Sequence, residues 1–202
     1  MTVAKGRPWG EPGPLPEGAV VVRTDAEAGA VLEAARRRQA PFPALGLLGG
    51  DLCRTLGGTG DEARLRSPAA VRYPVDVGEA LVDGVVRLFV AHLVARSRGW
   101  GRAFVAMNAQ WRGPWNLGPR AHPGDGLLDT YDARLGPRDR VLVNRRLALG
   151  AHLPHPGVAE RRTAALQVDL GRPLGLELDG RPAGRARVLS LRARPGALTV
   201  VV

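Results

Sequence analysis

Residues 19–50 read AVVVRTDAEAGAVLEAARRRQAPFPALGLLGG, and this stretch decides the fold class of the front of the chain. Ala19 to Val22 is a short apolar run of β-branched residues, the signature of a buried strand. Thr24 or Asp25 then supplies an N-cap. A helix is predicted to about Arg38, with Ala28, Val31, Leu32 and Ala35 on one face. Pro41 and Pro43 break it, and Ala44 to Leu48 is a second apolar run ending in Gly49-Gly50. Strand, helix and strand within this span make a parallel βαβ unit. A shorter helix is expected from Asp51 to about Leu56, and Gly57-Gly58 stops it.

Outward from this unit the pattern changes. Residues 1–18 are loop-like, with Pro8, Pro12, Pro14 and Pro16 among glycines. Residues 59–68 are polar and place a boundary near residue 68. Strands are expected at Val71–Val77, Val85–Val94, Arg102–Asn108, Leu127–Tyr131, Ala164–Leu170, Leu174–Leu178, Val188–Ala193 and Leu198–Val202. Asp83-Gly84, Asp179-Gly180 and Pro195-Gly196 supply turns. One helix, Pro137 to Leu149, interrupts the series. The expected organisation is therefore a loop-like segment at 1–18, a partial parallel α/β domain at 19–68, and an antiparallel β-sandwich at 69–202.

Composition narrows the function classes. The chain has 202 residues, 45% apolar and 24% charged, which excludes a disordered chain. No apolar run reaches the roughly 20 residues of a membrane span, and no secretory core stands at the front, so a cytoplasmic location is expected, with peripheral membrane contact as an extension. Cys53 is the single cysteine, excluding an internal disulfide. The net charge is +10. Residues 1–100 hold 13 basic and 11 acidic residues, residues 101–202 hold 16 and 8, so the excess lies in the second half. Arginine-rich surface suits anionic lipid or phosphate. No nucleic-acid motif accompanies it, which counts against nucleic acid as a partner.

Individual motifs are sparse. His152-Leu-Pro-His155 has the spacing of a metal pair but no third ligand. The glycines at 49–50, 57–58 and 60 could approach phosphate, without the spacing of a nucleotide-binding loop. Asp125-Gly-Leu-Leu-Asp129 is a tight acidic turn that could hold a hard cation or simply turn.

Taken in order, the motifs resemble one family. Phe104-Val-Ala-Met-Asn108, Gly118-Pro-Arg-Ala121, Asp125-Gly-Leu-Leu-Asp129, Leu178-Asp-Gly180 and Pro195-Gly-Ala-Leu198 resemble the diacylglycerol kinase family, bacterial lipid kinases related to sphingosine kinases and NAD kinases. Gly49-Gly50-Asp51-Leu-Cys-Arg54-Thr-Leu-Gly57 resembles that family's second nucleotide loop. The resemblance spans about residues 19–202. It implies an α/β nucleotide domain, a β-sandwich, and transfer of the ATP γ-phosphoryl group to a lipid hydroxyl in the cleft between them. Candidate nucleotide-side residues are Asp25, Gly49, Gly50, Asp51 and Arg54. The resemblance also implies a structural Mg2+ held by Asp125 and by the carbonyls of His122 and Leu127.

Departures from the family pattern count against catalysis. The first glycine loop aligns with Arg23-Thr-Asp-Ala-Glu27, which keeps Asp25 but has none of the glycines. The base position holds Arg181, and a guanidinium cannot accept a proton. The family also has a strand–helix–strand unit ahead of the first loop, where only 18 residues precede Ala19 here. The expectation is a degenerate relative with kinase activity and ATP binding lost or very weak. A non-catalytic binder of anionic lipid or phosphate is one alternative. A scaffold or partner subunit, completed by another chain or a second copy, is another, and an active kinase with an altered site is a third.

Overall fold

The structure, a computed structural model, describes residues 9–202; the loop expected at residues 1–8 lies outside the described residues. From Trp9 onward the segment is anchored, not free. Trp9 Nε1 donates to the Pro74 carbonyl at 3.1 Å and its ring lies 4.7 Å from that of Tyr73. This contact aligns β1 (Glu11–Pro12) antiparallel to β4 (Val71–Val82), so part of the expected loop is a sheet edge.

The βαβ unit forms as the apolar spacing dictates. β2 (Val20–Val22) runs parallel to β3 (Leu45–Leu47), and α1 (Asp25–Arg37) crosses between them with Ala28, Leu32 and Ala35 buried. Leu32, Leu45 and Leu52 are fully buried, each contributing about 1.5–3 kcal/mol from burial. α2 (Asp51–Thr55) follows the glycine turn. α3 (Glu62–Leu65) sits inside the polar stretch, capped by Asp61; four residues are too few to show a periodicity in sequence.

The remaining strands are β5 (Val85–Phe89), β6 (His92–Arg96), β7 (Arg102–Met107), β8 (Leu128–Arg134), β9 (Val158–Thr163), β10 (Ala165–Leu178) and β11 (Arg181–Val201), with α4 (Pro137–Leu147) between β8 and β9. All pairings among β4 to β11 are antiparallel, and the hydrogen-bonded order is β1-β4-β11-β10-β6-β7-β8-β9. Mostly antiparallel sheet with few helices is thus what forms. The hydrogen bonding is continuous through one eleven-stranded sheet and does not divide into two. The end of β11 explains this: Val200 and Val201 pair parallel with Leu45 and Gly46 of β3 while also pairing antiparallel with β4.

Three expected elements come out differently. The Val85–Val94 run is two strands, because the N–H groups of Val90, Ala91 and His92 turn toward the Asp179 carboxylate. The pairs 164–170 with 174–178, and 188–193 with 198–202, are each one long strand carrying a register shift. β9 was unforeseen; its Val-Ala-Glu-Arg-Arg-Thr sequence is mostly exposed at the sheet edge, so it has no apolar alternation to read.

Candidate functional site

The first cluster lies where α1 and α2 begin. The Asp25 carboxylate accepts the backbone N–H of Asp51 at 2.5 Å and of Leu52 at 3.1 Å. These are the free donors at the start of α2, the groups that would otherwise face an anion. The two glycines are explained by the same closure. A Cβ on Gly50, whose φ is +96°, would lie 2.6 Å from Asp25 Oδ1, and one on Gly49 would lie 2.5 Å from the Arg23 carbonyl. Gly49-Gly50 therefore lets the two loops press together.

Asp51 points the other way. Its Oδ1 accepts from Gly113 N at 2.8 Å, and its Oδ2 lies 3.1 Å from His92 Nε2. Asp179 completes the cluster as the acceptor for Val90, Ala91 and His92 N–H at 2.9, 2.9 and 3.1 Å. Burial pushes the Asp179 carboxyl up to about 7, with His92 opposing and Asp25 reinforcing. Burial also raises Asp25. For Asp51 burial pulls upward too, but the hydrogen bond and charge of His92 outweigh it and the carboxyl is held low.

The start of α1 is closed by its own side chains. Thr24 Oγ1 accepts from Glu27 N at 3.1 Å, and Glu27 Oε2 accepts from Arg23 N at 2.7 Å. The Arg23 guanidinium turns to Glu62 at 3.7 Å. Arg54 stacks 3.4 Å from the Trp111 ring centroid and donates to the Gly113 carbonyl at 2.9 Å. Arg181 stands apart and exposed, reaching only the Ala26 carbonyl at 3.5 Å. The structure thus brings Asp25, Gly49, Gly50 and Asp51 together, places Arg54 beside them, and leaves Arg181 outside. The donors a triphosphate would need are spent on internal carboxylates, so these residues do not fit ATP.

Asp125 was the expected cation ligand. Its Oδ1 accepts from Leu127 N at 2.9 Å and its Oδ2 is held by the Arg162 guanidinium. The His122 carbonyl receives Asp125 N at 3.4 Å, and the His122 ring lies against Trp9. Asp76 braces the same turn by accepting from Gly126 N and Gly196 N at 2.6 and 2.8 Å. Among the described residues no group of three or more His, Cys, Asp or Glu side chains is disposed to hold a metal. The donor set does not fit Mg2+, because a built-in cation already neutralises the carboxylate. His152 and His155 do not form a metal pair; His155 lies 3.9 Å from Asp139, and His152 lines a cavity.

That cavity is the second candidate site, and the sequence reading missed it. It lies under α4, has a volume of about 540 Å3, and is walled by Trp100, Val105, Trp115, Tyr131, Leu147 and His152. The size and apolar lining match a small-ligand site. Tyr131 and His152 are 4% and 5% exposed, yet the Tyr131 hydroxyl and both His152 ring nitrogens have no hydrogen-bond partner. Burial raises the tyrosine hydroxyl and lowers the imidazole, so both stay neutral at physiological pH. The Leu117 carbonyl opposes the imidazole shift without meeting hydrogen-bond geometry. A signal did exist: of four tryptophans, three (Trp100, Trp111, Trp115) fall within sixteen residues of an aromatic-poor chain.

No protein-family model matches the chain, and no curated protein does. The fold matches that of a candidate diacylglycerol kinase from Bacillus anthracis str. Sterne, with a TM-score of 0.68 and 12% identity over 90% of this chain and 77% of that one. A second structure, a diacylglycerol kinase from the same organism, matches with a TM-score of 0.60 and 14% identity over 90% and 75%. The chain therefore has a diacylglycerol kinase-like fold.

Proposed function

We propose that this protein is a lipid-binding relative of the diacylglycerol kinases that transfers no phosphoryl group. The observation that carries the reading is the cavity under α4, mostly apolar, with Arg140 and Asn144 in its α4 wall and an unpartnered hydroxyl and an unpartnered imidazole buried in it. Buried polar groups without partners are uncommon and each asks for an explanation. A ligand with an apolar chain and one hydroxyl or carbonyl supplies it: the chain replaces water along the wall, and the polar atom meets Tyr131 or His152.

The rim supports delivery from a membrane surface. On α4, Val141 and Leu142 are 54% and 41% exposed, and Leu149 beyond it is 80% exposed. Arg138, Arg140, Arg145 and Arg146 alternate with them. Exposed apolar residues among arginines are the composition of an interfacial helix, with the cations meeting anionic headgroups. Among the described residues no helix is long and apolar enough to cross a membrane.

Two measurements test this together. A fluorescent single-chain lipid should bind with quenching of tryptophan emission, since Trp100 and Trp115 wall the cavity. Radiolabelled ATP with diacylglycerol should give no phosphorylated product. Turnover abolished by Asp51→Asn would overturn the loss of catalysis, and absence of lipid binding would overturn the cavity reading.

A further inference from the structure

We infer that the lipid this cavity takes carries an anionic head, a phosphate monoester, seated in a second, arginine-lined pocket that neighbours the first on the same face of the sheet. The inference rests on the cavity under α4 being a lipid site. The second pocket has a volume of about 480 Å3 and is lined by Arg96, Arg98, Arg172 and Arg185, with Glu177 as its acidic residue. Glu177 is saturated: Arg96 and Arg112 both bond it at 2.8 Å. Arg98, Arg172 and Arg185 form no ion pair among the described residues, which leaves a surplus of positive charge in a concave site.

Strand register joins the two pockets. Arg185 pairs with Gly175, Gly175 with Arg96, Arg96 with Ala103, and Ala103 with Ala133. Directly opposed residues in antiparallel strands project from the same face, so these five form one row across β11, β10, β6, β7 and β8. Arg185, Gly175 and Arg96 line the basic pocket, while Ala103 and Ala133 line the apolar one. Four strand spacings make the row about 19 Å long. The turn after β6 is the shared wall: Ser97 and Arg98 face the basic side, Gly99 and Trp100 the apolar side, and Arg96 stacks on the Trp100 ring at 4.7 Å.

An apolar cavity and, across the turn after β6, a neighbouring pocket of uncompensated guanidinium groups on the same sheet face are complementary to an amphiphile with an acyl tail and a phosphate head. Guanidinium binds phosphate through paired N–H donors, and that charge-assisted geometry is unavailable to a neutral glycerol head. A phosphorylated lipid is therefore selected over its unphosphorylated counterpart.

The test compares oleoyl lysophosphatidate with monooleoylglycerol, which share a tail and differ by the phosphate, below their aggregation concentrations. Tryptophan quenching should report the phosphorylated lipid binding about ten-fold tighter or better. The advantage should shrink to about two-fold in the triple variant Arg98→Ala/Arg172→Ala/Arg185→Ala and at high salt, with monooleoylglycerol affinity unchanged. All three side chains belong to exposed residues, and unchanged neutral-lipid binding verifies that the variant is folded. Equal affinity for the two lipids overturns the anionic-head inference while leaving the cavity reading intact. Failure of both lipids to bind removes the cavity reading, and this inference with it. Inorganic phosphate binding as tightly as lysophosphatidate would mark a free-anion site and overturn the lipid assignment.

Discussion

The cleft at the ends of α1 and α2 and the cavity under α4 use buried polar groups in opposite ways. In the cleft, the carboxylates of Asp25, Asp51 and Asp179 each accept backbone N–H groups from another part of the chain. In the cavity, Tyr131 and His152 are as deeply buried and meet no partner. The satisfied carboxylates stabilise the fold and are committed to backbone donors, although Nδ1 of His92 beside them is buried without a partner. An unsatisfied group beside open apolar space is stabilised only when a ligand arrives. On the function proposed above, the cleft carboxylates serve the architecture and the sheet face under α4 takes the ligand.

The largest expected effect would break the cleft. Asp179→Ala leaves three buried N–H groups without an acceptor and should cost about 3–5 kcal/mol in chemical denaturation, at about 1–3 kcal/mol per orphaned group with partial relaxation. A loss below about 1 kcal/mol would mean other acceptors replace the carboxylate. The same residue sets a pH dependence. Its folded carboxyl sits at about 7 against 3.8 when unperturbed, so the folded chain holds a proton the unfolded chain has released. The stabilisation is complete below about pH 4 and lost as pH rises through about 7. Asp25 acts in the same direction and Asp51 in the opposite one. The unfolding free energy should therefore fall by about 2–4 kcal/mol more in wild type than in Asp179→Asn between about pH 4 and pH 8.

Next in size is a change on the other side of the comparison. Ala133→Phe fills the cavity and should weaken lipid binding about 30-fold, roughly 2 kcal/mol, with little loss of stability. Fluorescence titration and thermal unfolding on one sample separate the two readouts. A smaller effect is expected at the acidic turn. Arg162 is partly exposed, so Arg162→Ala should cost less than about 1 kcal/mol. Wild-type Tm should not respond to Mg2+ or chelator, whereas the variant should gain stability with Mg2+ once Asp125 is uncovered. A wild-type rise with Mg2+ would show the ion displacing the guanidinium. The smallest expected effect is none: Arg181→Glu should restore no phosphorylation, because Asp179 and Asp51 stay committed to backbone donors. Product formation there would reopen the cleft as an active site.

Several features were legible because their causes are local. The βαβ unit needs only apolar spacing, Thr24 as a cap and the breaks at Pro41 and Pro43, all within about thirty residues. The resemblance names Asp25, Gly49, Gly50 and Asp51 as nucleotide-side candidates; that Asp25 bonds the start of α2 directly is read only from the structure. Other features were not legible because their causes are distant. The split between β5 and β6 follows from Asp179, almost ninety residues away. The glycine turn looked open to phosphate, but its glycines are required by contact with Asp25 and Arg23. The cavity draws on β7, β8, β9, α4 and the loops that carry Trp100, Trp115 and His152, and no local pattern announces it.

By itself the sequence determined the βαβ unit, α4 and most of the longer strands, that the positive charge sits in the second half, and that position 181 holds a guanidinium where the resemblance places a base. Those properties reside in single residues and short periods. Tertiary structure decided which carboxylates are spent, which guanidinium groups are left over, and that Arg185, Gly175, Arg96, Ala103 and Ala133 stand in one row on the same sheet face. Those depend on strand register and burial, and both are fixed only when remote segments pair.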